Sequence, residues 1–138
     1  VDFFTSHGHE SYIEGLEGTG ISLEKIPRIE NMDQVATEHF NRANTYFDLR
    51  EWRKAIQEYD KVIQLDPNYA DVYNNRGIAY DELGQYQRAI QDYDKAIQLD
   101  PNDALAYDNR GLAYDALGQD AEANADKAKA CSPDNKYC

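Results

Sequence analysis

Residues Trp52–Asn68 read WRKAIQEYDKVIQLDPN, and residues Tyr86–Asn102 read YQRAIQDYDKAIQLDPN. The second stretch restates the first 34 residues on, so that Ala55 returns as Ala89, Tyr59 as Tyr93 and Pro67 as Pro101. The segment between the two copies has its own echo: Ala70–Gln85, ADVYNNRGIAYDELGQ, returns as Ala104–Gln119, ALAYDNRGLAYDALGQ. A fixed period of this length marks an array of supersecondary units, each too small to bury its apolar face alone.

Inside each unit the spacing is helical. Tyr73, Gly77 and Tyr80 share one helix face, Leu83 extends the stripe, and Gly84 stands where a helix stops. Tyr86, Ala89, Ile90, Tyr93, Ala96 and Ile97 form the apolar face of a second helix, which ends at Leu99 before Pro101. The small residues Gly77 and Ala89 mark where two antiparallel helices approach closest, with Tyr80 and Tyr93 filling the space beside them. An all-α fold follows.

Composition narrows the function. The 138 residues suit one domain, and 41% apolar residues suffice for a core when patterned this way. A net charge of −12 argues against DNA or RNA, whose phosphates need clustered Lys and Arg. Mean hydropathy is −0.83 and no long apolar run is present, which argues against a membrane span. The opening VDFFTSHGHE has neither the basic region nor the apolar stretch of an intact signal peptide. Cys131 and Cys138 fit a small disulfide in an oxidising compartment or free thiols in a reducing one. The compartment therefore stays open between cytoplasm and periplasm or export.

The pattern resembles the tetratricopeptide repeat family over residues 36 to 130. Units starting at Ala36, Ala70 and Ala104 match its small residue in the first helix with Ala43, Gly77 and Gly111, and the following aromatic with Tyr46, Tyr80 and Tyr114. The aromatic opening the second helix is Trp52 and Tyr86, the small residue within it Ala55, Ala89 and Ala123, and the closing proline Pro67 and Pro101. The resemblance implies a right-handed superhelix of three helix-turn-helix units, an α-solenoid. The chain then divides into an irregular arm over 1–34, repeats over 35–69, 70–103 and 104–131, and a tail over 132–138. Within the arm, Ser22 is placed to cap a short turn through Lys25 that Pro27 ends.

Two departures stand out. Arg42, Arg76 and Arg110 occupy a position where the family usually has Leu, and a snorkelling aliphatic stem replaces part of that burial. The third unit is eroded: Asp120 and Lys127 stand where aromatics are expected. Asp120–Ala130 reads as a helix with a polar outer face, suited to end a stack.

The resemblance also implies that the first helix of each unit lines a concave groove. The positions are Thr37, Phe40, Asn44, Phe47 and Asp48; then Asp71, Asn74, Ile78, Asp81 and Glu82; then Leu105, Asp108, Leu112, Asp115 and Ala116. Six of the fifteen are acidic and none is basic, with apolar Phe40, Phe47, Ile78, Leu105 and Leu112 among them. Such a surface suits a peptide with basic and apolar side chains; a solvated face kept for solubility is the plain alternative. Asn41, Asn75 and Asn109 recur at one site per unit, and the central Asn75 is the candidate peptide contact, the other two pairing helix to helix. Chaperone-binding members clamp a terminal carboxylate with Lys, Asn, Asn, Lys and Arg. Asn44 and Asn75 match the asparagines, but Phe40, Leu105 and Asn109 stand at basic positions, so acidic chaperone tails are not expected to bind.

The function that follows is a non-catalytic protein-interaction module. A self-associating element, with the arm docking on a neighbouring copy, is one alternative. A metal-dependent activity using His7, His9 and Glu10 is another, but a zinc site needs three or four supported ligands and the only other histidine is His39. No cofactor is implied, since no Gly-rich phosphate loop or nucleophile–base pair stands out.

Overall fold

Six helices run through residues 31–131, the part of the chain that the computed structural model describes: α1 Met32–Asp48, α2 Trp52–Leu65, α3 Ala70–Glu82, α4 Tyr86–Leu99, α5 Ala104–Ala116 and α6 Asp120–Ala130. No strand occurs among the described residues. The arm with its Ser22–Lys25 turn, the His7, His9 and Glu10 group, Cys138 and the tail lie outside them. Helix α1 starts at Met32, inside the stretch read as arm. Asp33 in its first turn complements the helix dipole, and the Thr37 hydroxyl donates to the Asp33 carbonyl at 2.9 Å. Met32 and Val35 are exposed and Ala36 is the first buried residue of α1, so these early turns carry no apolar stripe to announce them.

Each hairpin is closed by the same backbone device. After α3, Gln85 N–H bonds to the Tyr80 carbonyl at 2.9 Å and Gly84 N–H to the Asp81 carbonyl at 2.9 Å, with Gly84 at φ +75°. After α5, Gln119 and Gly118 repeat both bonds at 2.9 and 3.0 Å. This double bond needs a left-handed residue, which glycine supplies without strain. The first unit has Arg50 there instead, at φ 61°, making the same bonds through Arg50 and Glu51 to Phe47 and Tyr46. Arg50→Gly is therefore expected to stabilise the protein by about 1 kcal/mol, raising Tm by roughly 4–8 °C. A thermal melt that moves down would show that Arg50 has a use of its own. Between units, Asp66 and Asp100 accept from the backbone N–H of Asn68 and Asn102, each at 3.1 Å, so the recurring Asp-Pro-Asn is a side-chain-stapled turn.

The core lies between the hairpins and runs from one to the next. Ala43 of α1 meets Ala55, Tyr59 and Val62 of α2 and Val72 of α3. Tyr73, Ala96 and Ala106 join α3, α4 and α5, and Ala89, Ile90, Tyr93 and Ala113 continue it between α4 and α5. Gly77 is obligatory: a Cβ there would lie 2.6 Å from Cε1 of Tyr93. The ring of Tyr93 thus lies across the backbone of α3, which is the close approach that the small residue makes possible.

The arginines at the family's leucine position do more than snorkel. Arg76 forks onto Asp92 at 2.8 and 2.7 Å within its own hairpin and reaches back 2.7 Å to Asp60 of the preceding one. Arg110 repeats the figure with Asp126 at 2.7 and 2.6 Å and Asp94 at 2.8 Å. Each guanidinium also lies over two tyrosines of its own helix, Tyr73 and Tyr80 for Arg76, Tyr107 and Tyr114 for Arg110. The carboxylates repeat with the 34-residue period, Asp60 as Asp94 and Asp92 as Asp126. Among the described residues Arg42 has only Glu58, at 3.1 Å, and its side chain is 53% exposed against 18% and 20% for Arg76 and Arg110. The expectation of a charged tip in solvent describes Arg42; the other two tips are enclosed. Burial acts to raise Glu58, but hydrogen bonds from His39 and Lys61 and the charges of Lys61 and Arg42 outweigh it and hold Glu58 below its ordinary range.

Candidate functional site

The first helix of each unit carries the residues assigned to the groove. Thr37, Asp48, Asp71, Glu82, Leu105, Leu112, Asp115 and Ala116 are exposed, and Phe40, Asn44, Phe47, Ile78, Asp81 and Asp108 are half-buried. Asn74 differs from the reading of it as groove-lining. It is 5% exposed, and its amide oxygen accepts from Asn109 Nδ2 at 3.3 Å, so its side chain is spent in the seam between α3 and α5. Phe40 and Phe47 are partly committed to packing: Phe40 lies 4.9 Å from the Tyr69 ring and Phe47 meets Trp52 edge-on at 5.1 Å. Asn75 also has an internal partner, since its Nδ2 donates to Asn44 Oδ1 at 3.5 Å. Asn109 pairs helix to helix as expected, while Asn41 is exposed.

A polar side chain on the second helix reaches the first helix in each unit, buried in the first two, and the choice between Ala and Gly at the small position accompanies where it lands. In the first unit, beside Ala43, the Tyr59 hydroxyl donates to Asn44 Oδ1 at 2.6 Å. In the second unit, across Gly77, the Tyr93 hydroxyl donates to Asp81 Oδ2 at 2.6 Å. Phe47 stands at the Asp81 position of the first unit and Ile78 at the Asn44 position of the second, so neither tyrosine could make the other's bond. In the third unit Lys127 replaces the tyrosine, and its ammonium bonds Asp115, the counterpart of Asp81. Asp115, read as an acidic groove residue, is paired within the chain. Repetition alone did not disclose these pairings, although the substitution of Lys127 for an aromatic was their one visible signal.

Asp81 is the outlying acid. Both Tyr59 and Tyr93 are fully buried, and burial pushes their hydroxyls well above the ordinary tyrosine range. Burial likewise raises the Asp81 carboxyl to about 6, with Glu82 adding to the shift and the Tyr93 hydrogen bond opposing it. Among the described residues, Asp81 Oδ1 is the buried side-chain atom that has no hydrogen-bond partner. Asp81, Glu82, Tyr86, Leu112 and Ala113 line a cleft of about 390 Å³.

A raised carboxyl favours the folded state below its ordinary value of 3.8, and that contribution is lost as pH climbs through about 6. Asp81→Asn keeps an acceptor for Tyr93 and abolishes the ionisation. The variant should match the wild type near pH 3.5 and exceed it by about 1–2 kcal/mol near pH 7.5, a figure discounted for the partial exposure of the site. Urea titrations at the two pH values check this, and equal stabilities at the higher one would contradict it.

Among the described residues no group of His, Cys, Asp and Glu is placed to hold a metal ion, and no helix is long and apolar enough to cross a membrane. Cys131 is exposed just after α6.

Paired helices stacked in register define a helical-repeat solenoid. Comparison gives it a family: tetratricopeptide repeat models match residues 70–103 and 92–125, and a TPR repeat model matches 43–84. The TPR domain of Arabidopsis OM64 is 34% identical at a TM-score of 0.72, covering 78% of this chain and 89% of that one. The first TPR of Spaghetti (RPAP3), bound to the HSP90 peptide SRMEEVD, is 30% identical at 0.71, covering 75% and 84%. The TPR2B domain of yeast Sti1, in a pHsp70 complex, is 33% identical at 0.67, covering 69% and 76%. No curated protein matches the chain in sequence. The chain belongs to the tetratricopeptide repeat family. It is a protein–protein interaction module of that family.

Proposed function

We propose that this chain is a non-catalytic module whose first helices hold a segment of a partner protein carrying basic and apolar side chains. The observation that carries this is the composition of the groove positions: Asp48, Asp71, Asp81, Glu82 and Asp108 stand with exposed Leu105 and Leu112, and no cation shares those positions. Elsewhere four arginines are occupied, Arg42, Arg76 and Arg110 by carboxylates and Arg88 over the Tyr80 ring. An acidic trough floored with apolar groups raises the local concentration of a cationic segment and repels an anionic one.

The Spaghetti domains are bound to SRMEEVD, a peptide with three acids. At the clamp's basic positions this chain has Phe40, packed at a tilt against Tyr69, exposed Leu105, and Asn109, bonded to Asn74. A labelled SRMEEVD peptide should therefore bind less well than a seven-residue peptide alternating Lys and Leu, and the affinity of the latter should fall as salt is raised. Preference for SRMEEVD in an anisotropy titration would reverse the assignment.

A further inference from the structure

The three units answer one carboxylate position in three ways. In the third, Asp115 is met by the ammonium of Lys127 from within the chain. In the first, the position holds Phe47 and carries no charge. In the second, Asp81 receives only the neutral hydroxyl of Tyr93, which occupies Oδ2 and leaves Oδ1 without a partner among the described residues. The carboxylate beside it, Glu82, is exposed, and α4 adds Tyr86 to the same cleft. From α5 the cleft receives only Leu112 and Ala113, both uncharged, and Leu112 is 53% exposed.

We propose that the cleft lined by Asp81, Glu82, Tyr86 and Leu112 is a subsite for one cationic side chain, lysine or arginine, of a bound partner segment. The proposal rests on the peptide-binding reading above and specifies where its charge is read. In the third unit the ammonium of Lys127 meets the counterpart Asp115 from the place that Tyr93 fills in the second, which leaves the cleft as the side from which a cation would approach Asp81. In the second unit that cation must come from outside. The cleft's dimensions, about 390 Å³, leave room for a lysine or arginine stem along Leu112 and the Tyr86 ring. Rotation of the Asp81 carboxylate about its soft χ2 turns Oδ1 toward the incoming group. A charge-assisted hydrogen bond in a partly dried site is stronger than a neutral one. The same site sets a pH dependence. The groups acting on Asp81 are the Tyr93 hydroxyl from α4 and Glu82 on its own helix, and together with burial they bring its titration to about 6. Protonation there removes the charge the ligand needs.

The test is an amide NMR titration of the full chain with the blocked peptide Ac-AALKLAA-NH2 and versions bearing arginine, norleucine or glutamate at the lysine. The lysine and arginine peptides should shift Asp81, Glu82, Tyr86 and Leu112. Norleucine, which keeps the stem and loses the charge, should bind about tenfold more weakly or worse. Affinity for lysine should drop about tenfold between pH 7.5 and pH 5. Asp81→Asn should lose the preference for lysine over norleucine and the pH dependence while remaining folded. Equal binding of lysine and norleucine, or shifts confined to the neighbourhood of Phe40 and Phe47, would overturn the subsite and leave the peptide-binding reading standing. No shift anywhere with any of the four would overturn both.

Discussion

Arg76→Leu, which installs the residue this family usually carries, is expected to destabilise the protein by about 3–5 kcal/mol. The reason lies in what the guanidinium faces. Asp92 is 5% exposed and takes both prongs of the Arg76 fork, while Asp60 takes the third nitrogen. Burial already pushes the Asp92 carboxyl up against the pull of Arg76. Without the arginine, an enclosed carboxylate loses its counter-charge and two hydrogen bonds, and the cost of its desolvation stands alone. Asp60, half-exposed, turns to water at little cost. The double change Arg76→Leu, Asp92→Leu removes charge and counter-charge together and should recover to within about 1 kcal/mol of the wild type. Urea midpoints of the four members of this cycle decide the matter. If the double variant is no better than the single, the ion pair is not what the single change breaks.

Tyr93→Ala should cost a comparable 3–5 kcal/mol, for a different reason. The side chain is fully buried, and its ring lies against Gly77 with Ala89, Ile90 and Ala113 around it. Removing it opens a cavity between two rigid helices that cannot close far, because each also packs on a neighbouring hairpin. Tyr93→Phe isolates the hydroxyl. It keeps the ring, takes the donor from Asp81, and should cost about 1–2 kcal/mol while moving the Asp81 titration further up. A carbon-detected titration of Asp81 reads this directly, and an unmoved carboxyl would mean that the 2.6 Å contact contributes little.

Much of this architecture was legible from residue order. The pairing of Tyr86, Ala89, Tyr93 and Ala96 on one stripe and of Tyr73, Gly77 and Tyr80 on another placed α3 and α4 with their ends, because helical spacing and glycine stops act within a few residues of the chain. Arg50 shows the limit of that logic even locally. The left-handed turn is demanded by the bonds to Phe47 and Tyr46, and the chain satisfies it there without a glycine. Asn74 was misplaced because it lies at the border of the stripe, where a rotation of one helix by a fraction of a turn decides between seam and solvent.

The repeat itself, the helix type of every described element, the glycine hairpin stops and the excess of acid over base were all properties of the one-dimensional chain, since they depend on spacing, backbone preference and counting. Which acids are neutralised was not. Asp92, Asp126 and Asp115 are met by groups 12 to 16 residues away that come into reach only when two helices lie antiparallel at a particular depth, and Asp81 is left over by the same geometry. Charge is written in sequence, but its compensation is a matter of distances of about 3 Å between helices, and only packing sets those.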